Sequence, residues 1–302
     1  MAFTTSPNGR TINLLRRTPP RRRRARRRTN AQVTIAVVII ACFVLMSLLA
    51  PVLAPYDPDL ADGAVKYLGI GEQGHLLGTD DQGRDILSRL IWGGRTSLIV
   101  ALLASVLATL VGSALALVAG FAGDRLAGLI MRSMDIMFAF PVIIVALAAA
   151  VILGPGPSVV VLSIVFAVIP YVTRVVFAEV KLQRGREYVE AAVSLGAGFP
   201  AILFREVLPN VAGQIVVYGT GLVGGMIVFT SSLSALGIGI QPPTADWGRM
   251  ISEGAKVIIS GNVYVALLPG LVVLVVALAF NWLGDGLRDV FDPYKRHKRK
   301  AG

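Results

Sequence analysis

Six stretches of this chain run for about twenty residues or more with almost no ionisable side chain in their interiors. They fall at about 33–54, 97–121, 133–153, 158–178, 211–236 and 263–283. A run of that length matches the hydrocarbon thickness of a bilayer, about 30 Å at 1.5 Å per helical residue. Because the bilayer offers backbone groups no hydrogen-bond partner, each run must close its own bonds as a helix. The chain is therefore expected to be an all-α polytopic membrane protein with about six transmembrane helices. Composition agrees, with 55% hydrophobic and only 16% charged residues. The single cysteine, Cys42, lies inside the first run and reads as a small apolar filler.

The formal net charge of +11 raises the question of nucleic acid, and the placement of the charge answers it. Ten arginines precede residue 29, just ahead of the first apolar run, where they hold that end in the cytoplasm and attract anionic membrane lipid. No folded basic module or interleaved aromatics accompany them, so no nucleic-acid partner is expected. With six spans and the amino terminus inside, 23 of the 29 Lys and Arg residues fall on the cytoplasmic side. That bias places both termini in the cytoplasm. The chain divides into a basic arm (1–30), a first transmembrane helix with an extracytoplasmic loop (31–96), a transmembrane core (97–290) and a basic tail (291–302).

The spans lack an Asp, Glu, His or Lys relay of the kind that proton- or sodium-driven carriers place in the bilayer. Asp135 and Arg132 stand at one edge of span three, and Arg174 and Glu179 at the inner end of span four. Interior Gly112, Pro141, Pro170, Gly224 and Gly225 suit close helix packing and kinks. The chain also has no G-x-x-x-x-G-K-[ST] phosphate loop, so a nucleotide that fuels transport must bind another chain.

Between spans four and five the sequence runs from Arg186 through Glu190, Ala191, Ala192 and Gly196 to Leu208 and Pro209. Its first part is rich in helix formers, and Arg186 and Glu190 have the i, i+4 spacing of a pair worth a few tenths of a kcal/mol. Gly196 and Gly198 permit a bend, and Pro200 suits the first turn of a second helix. Ala191 and Ala192 leave one face flat enough for a partner surface to approach.

This loop resembles the E-A-A…G…L-P coupling motif of ABC importer permeases. It departs from it at Glu206, where an apolar residue is usual. Three further segments resemble the C-type permeases of the dipeptide, oligopeptide and nickel group. They run from His75 through Gly78, Thr79, Asp80, Asp81, Gly83 and Arg84 to Asp85; from Ser232 through Gly237, Gly239, Gln241, Pro242 and Pro243 to Trp247 and Gly248; and from Asn281 through Asp285, Arg288 and Asp289 to Asp292-Pro293.

The resemblance implies a type I ABC importer permease fold for di- or oligopeptides. A cytoplasmic coupling helix between spans four and five would dock on an ATPase. The implied partners are a homologous B-type permease, one or two ABC ATPase subunits and an extracytoplasmic substrate-binding protein. No cofactor is implied for this chain, since ATP and Mg would sit on the ATPases. The implied location is the bacterial plasma membrane. The loop with Gly237, Gly239, Gln241, Pro242, Pro243 and Trp247 would face the pore mouth. Nickel, glutathione or haem are alternative cargoes within the group. An autonomous secondary transporter or channel is the rival from another class. One histidine among scattered acids from His75 to Asp85 lacks the spacing of a metal cage, and Asx turns with a helix start fit them better.

Overall fold

A computed structural model describes residues 21–121 and 123–291, with backbone alone for 21–30 and 291. The first twenty residues of the basic arm and the tail from 292 onward, including Asp292-Pro293, lie outside the described residues. Every regular element among the described residues is helical, and the only β feature among them is an isolated Thr79–Asp85 bridge.

The first run forms α1 (Arg21–Leu48), followed by the single turn α2 (Ala50–Leu53). The second does not begin where the sequence suggests. The stretch from Asp85 to Trp92, read as part of a loop, is the start of one helix, α3 (Ile86–Phe121), 36 residues long and running straight through the 96/97 boundary. Asp85 starts it, its Oδ2 accepting from the Ser88 amide (2.8 Å) and hydroxyl (2.7 Å). Gly93 and Gly94 do not break it, because Trp247 and Ser47 press against the space that side chains would fill.

The third run is broken. Helix α4 (Asp124–Phe138) and helix α5 (Val142–Leu153) meet at 83°, with Pro141 capping α5. Pro141 disfavours helical backbone at the residue before it and cannot donate to an i−4 carbonyl. Five single helices are long and apolar enough to span a membrane, and the bent pair makes a sixth crossing if counted as one. The expected number of spans holds; the continuity of the third does not.

Helix α6 (Pro157–Arg184) carries the buried Pro170 in its interior. Then come α7 (Glu187–Ser194), α8 (Phe199–Ala201), a π-helical turn (Ile202–Val207) and α9 (Leu208–Ala235). The last elements described are α10 (Trp247–Ala255) and α11 (Tyr264–Phe291).

Close contact is made through small residues. A Cβ on Gly112 of α3 would lie 2.7 Å from Cβ of Val172 in α6, and one on Gly224 of α9 would lie 2.6 Å from the Ala277 carbonyl in α11. Gly225 faces open space. Two apolar clusters result. The larger binds Ile86, Leu98, Ile164, Ile227, Trp247 and Phe280. The smaller joins Ala116, Val172, Val176 and Val180 to Val189, Ile202, Val207 and Val211 at the end where the α6–α9 connection projects. That end is called the hairpin end below, and the opposite one the cap end.

Candidate functional site

At the hairpin end, Arg186 adopts extended backbone (φ −91°, ψ 146°) and caps α7 with its carbonyl, which accepts the Val189 and Glu190 amides. Because Arg186 stands outside the helix, its side chain does not meet Glu190, and the anticipated i, i+4 pair does not form. Glu187 and Glu190 lie in the first turn, where carboxylates favour the helix dipole. Helix α7 stops at Gly196, whose φ of +80° is left-handed. The Gly196 amide donates to Val193 O (2.9 Å) and the Ala197 amide to Ala192 O (3.0 Å), the paired bonds of a Schellman ending.

Alternation along α7 sorts its side chains. Val189 is buried in the smaller cluster, with Tyr188, Ala192, Ala197 and Leu208 packed against it. Glu190, Ala191, Gly196 and Pro209 are exposed. The six motif residues thus divide between an outward face and the hinge that holds it. The hairpin is further fixed to the bundle by Arg184, which donates to Gly120 O (3.0 Å) and lies over Phe121, and by Phe121 packed edge-on to Phe199. Glu206, the departure from the motif, lies near Tyr188. Burial first, and then the Glu206 carboxylate, push the phenol of Tyr188 above its ordinary value.

Sequence reading missed the tip. Leu195 projects into the open with 88% of its surface exposed, and Val193 and Phe199 beside it are about half-exposed. Three apolar side chains flanking a glycine turn in a polar connection are the signal that could have found them. Fully covering Leu195, the most open of the three, would be worth about 1.5–3 kcal/mol.

At the cap end, α10 is tied to the segment ahead of α3 by buried charge. Arg84 and Arg89 are each 1% exposed. Arg84 Nε meets Asp80 Oδ2 at 2.7 Å and Arg84 Nη2 meets Glu253 Oε2 at 2.8 Å. Glu253 also takes Arg89 Nη2 at 3.4 Å and Arg249 Nε at 3.0 Å. His75 Nδ1 pairs with Asp85 Oδ1 at 2.9 Å while its ring stacks on Tyr56. Asp80, Asp81 and Glu253 do converge, their oxygens within 4.8 Å of one another. These carboxylates are already paired with guanidinium groups: Arg84 meets all three, Arg89 meets Asp80 and Glu253, and Arg249 meets Glu253.

The residues assigned to the mouth separate. Gln241, Pro242 and Pro243 are exposed, and Gln241 Nε2 donates to the Gly237 and Gly239 carbonyls. Gly239 is buried against Ser234, and Trp247 is wholly buried, its Nε1 donating to Leu90 O (2.9 Å). Trp247 is a wedge between α3 and α10, not a lining group, and Gly239 is likewise covered.

Asp246, beside that wedge, is the buried N-cap of α10. Oδ1 accepts the Arg249 amide (3.0 Å), and Oδ2 accepts the Ser97 hydroxyl (2.8 Å). Burial raises its pKa above the ordinary 3.8, opposed by those hydrogen bonds. The folded protein therefore holds this proton more tightly than the unfolded chain. The associated stability is present below the ordinary value and is lost as pH rises through the raised one. Asp246→Asn should flatten the pH dependence of the thermal midpoint in detergent. Asp246→Ala, which orphans the Ser97 hydroxyl and the Arg249 amide, should cost about 1–3 kcal/mol. A slope with pH that is the same in Asp246→Asn and wild type would refute the assignment.

The comparisons with known proteins cover nearly all of this frame. Residues 112–297 match the family described as binding-protein-dependent transport system inner membrane component. Residues 22–69 match the N-terminal TM domain of oligopeptide transport permease C. A di/tripeptide transport system permease protein of Pseudomonas aeruginosa is 42% identical over 255 residues, 83% of this chain and 84% of that one. A dipeptide transport system permease protein of Haemophilus influenzae is 36% identical over 269 residues, 87% of this chain and 91% of the relative. A glutathione transport system permease protein of Pectobacterium atrosepticum is 38% identical over 247 residues, 81% of each. Its helical spans, projecting hairpin and matched sequence agree, and the chain belongs to the family of binding-protein-dependent transport system inner membrane components.

Proposed function

We propose that this chain is one permease half of an ATP-driven importer for di- or oligopeptides, coupled to its motor through the 186–209 hairpin. The observation that carries the proposal is the hairpin itself: an exposed Glu190–Ala191 face and an apolar tip, held by Val189 on a cluster continuous with α3, α6 and α9. A tip pushed by a partner moves that cluster as a packed unit, because dense side-chain packing transmits displacement. Glu190 supplies a carboxylate for basic or backbone donors on the partner, and Ala191 lets the surfaces close.

ATP and Mg belong to the ATPase subunits, and this chain binds no nucleotide. A homologous B-type permease completes the path, and an external binding protein docks at the cap end. The distribution of Lys and Arg supports a cytoplasmic position for the hairpin and both termini. Hairpin movement alternates the path between inward and outward openings. The peptide assignment is supported by the names of the P. aeruginosa and H. influenzae relatives, and the glutathione relative supports a modified peptide as second cargo.

The test is reconstitution. The full complex in proteoliposomes should import a labelled dipeptide only with ATP and loaded binding protein, and this chain alone should import none. Gradient-driven uptake by the isolated chain would overturn the assignment in favour of a secondary transporter. ATP-driven uptake of glutathione but not of dipeptides would replace the cargo and keep the machine.

A further inference from the structure

Away from the hairpin and the cap, one pair of charges stands open on an apolar surface. Arg174 of α6 and Asp135 of α4 form an ion pair whose side chains remain 46% and 58% exposed. The Arg174 guanidinium lies over the Phe138 ring, 4.8 Å from its centroid. Tyr171, one turn earlier on the same face of α6, is exposed, as is Phe140. Val172, Thr173 and Val176 turn inward, so the exposed face is set by the helix and not by fraying.

Arg174 lies about 25 Å along α6 from Pro157, near the inner edge of a hydrocarbon layer about 30 Å thick. A guanidinium at that edge is long enough to reach the headgroups, yet this one is held by Asp135 and the Phe138 ring. A second feature lies beside the pair. The span breaks by 83° between Phe138 and Val142, and Pro141 caps α5 without a side-chain hydrogen bond. The first amides of α5 have no intrahelical acceptor. Open backbone at membrane depth persists only where it is covered by protein or lines water.

Resting on the peptide reading above, we infer that Arg174 and Asp135 form a binding station on the translocation path for the two charged ends of a peptide. Arg174 receives the terminal carboxylate and Asp135 the terminal ammonium, while Phe138 and Tyr171 flank the side chains. The resting pair is neutral as a unit and so is a zwitterionic peptide. Binding exchanges one internal charge-assisted contact for two with the cargo, and release restores the internal one. A protein partner seated here would have to desolvate a pair that is already satisfied, with little Coulombic return.

The experiment uses the complete complex in proteoliposomes. Arg174→Gln and Asp135→Asn should each lower ATP-driven uptake of an unmodified dipeptide about ten- to hundredfold, with ATPase stimulation by loaded binding protein held within about twofold. The reversed pair, Arg174→Asp with Asp135→Arg, should not restore uptake, because the aromatic flank fixes which end each charge receives. A dipeptide with free termini and a diazirine side chain, illuminated during turnover, should label 135–138 or 171–174 in wild type and not in Arg174→Gln. Undiminished uptake in the single variants, rescue by the reversed pair, labelling only elsewhere, or a cross-link from this surface to the second permease would overturn the station. If wild type imports the dipeptide and the variants match it, only the station falls. If wild type imports no dipeptide, the peptide reading falls, and the station with it.

Discussion

Gly196→Val should abolish ATP-driven uptake while leaving the spans folded. The residue has φ +80°, a conformation in which a β-branched side chain is strongly disfavoured. No atom lies within 4 Å of the position its Cβ would take, so the damage is conformational and not a collision. To escape the left-handed region the valine chain must give up the Gly196–Val193 and Ala197–Ala192 bonds that turn the hairpin. Leu195 and Phe199, on either side, then point elsewhere. The strain of about 1–2 kcal/mol is small for the whole fold and decisive for the tip. Gly196→Asn, which tolerates the same backbone, should retain most uptake, and Glu190→Lys should lose it by reversing the charge of the proposed docking face. The measurement is uptake per ATP hydrolysed in proteoliposomes, with thermal midpoints to show that the bundle is intact. Full coupling in Gly196→Val would mean that the hairpin is not the contact.

These features differed in how far sequence could reveal them. The spans were legible because the bilayer imposes one solution on twenty apolar residues. The hairpin was legible because Gly196, Gly198 and Pro200 act on the backbone locally. The continuity of α3 was not, since the stretch up to residue 96 is polar and Gly-rich, and only Trp247, far along the chain, packs against its Gly93 and Gly94. The bend of the third span hung on whether Pro141 would kink a helix or end it, a choice that tertiary contacts make. Arg186 misled for a simpler reason: a pair at i, i+4 needs both residues inside the helix, and the helix starts one residue later. Least legible was the cap, where Glu253 meets Arg84 across a sequence separation of 169. No local pattern marks such a partner.

That partner supports the second large effect. Glu253→Ala should lower stability by about 3–5 kcal/mol, the cost of leaving buried charge without its counterion. One carboxylate serves three guanidinium groups here, and two of them, Arg84 and Arg89, have almost no access to water. Asp80 alone cannot replace it, being already bound to Arg84 Nε and to the amides of Gln82 and Arg84. Asp81 offers an internal readout. Burial, then the Asp80 and Glu253 carboxylates, hold its pKa above the ordinary 3.8. Removing Glu253 deletes one of those repulsions, so the Asp81 carboxyl should titrate at lower pH in the variant than in wild type. Because breaking a buried ion group costs more than replacing it, Glu253→Leu with Arg84→Met should recover part of the stability that Glu253→Ala loses. The defect should be confined to the cap. ATPase binding at the hairpin should persist while docking of the binding protein weakens, since Gln241, Pro242 and Pro243 hang from the connection that ends in α10. A thermal midpoint for Glu253→Ala equal to that of wild type would show that the Glu253 ion group does not hold the cap.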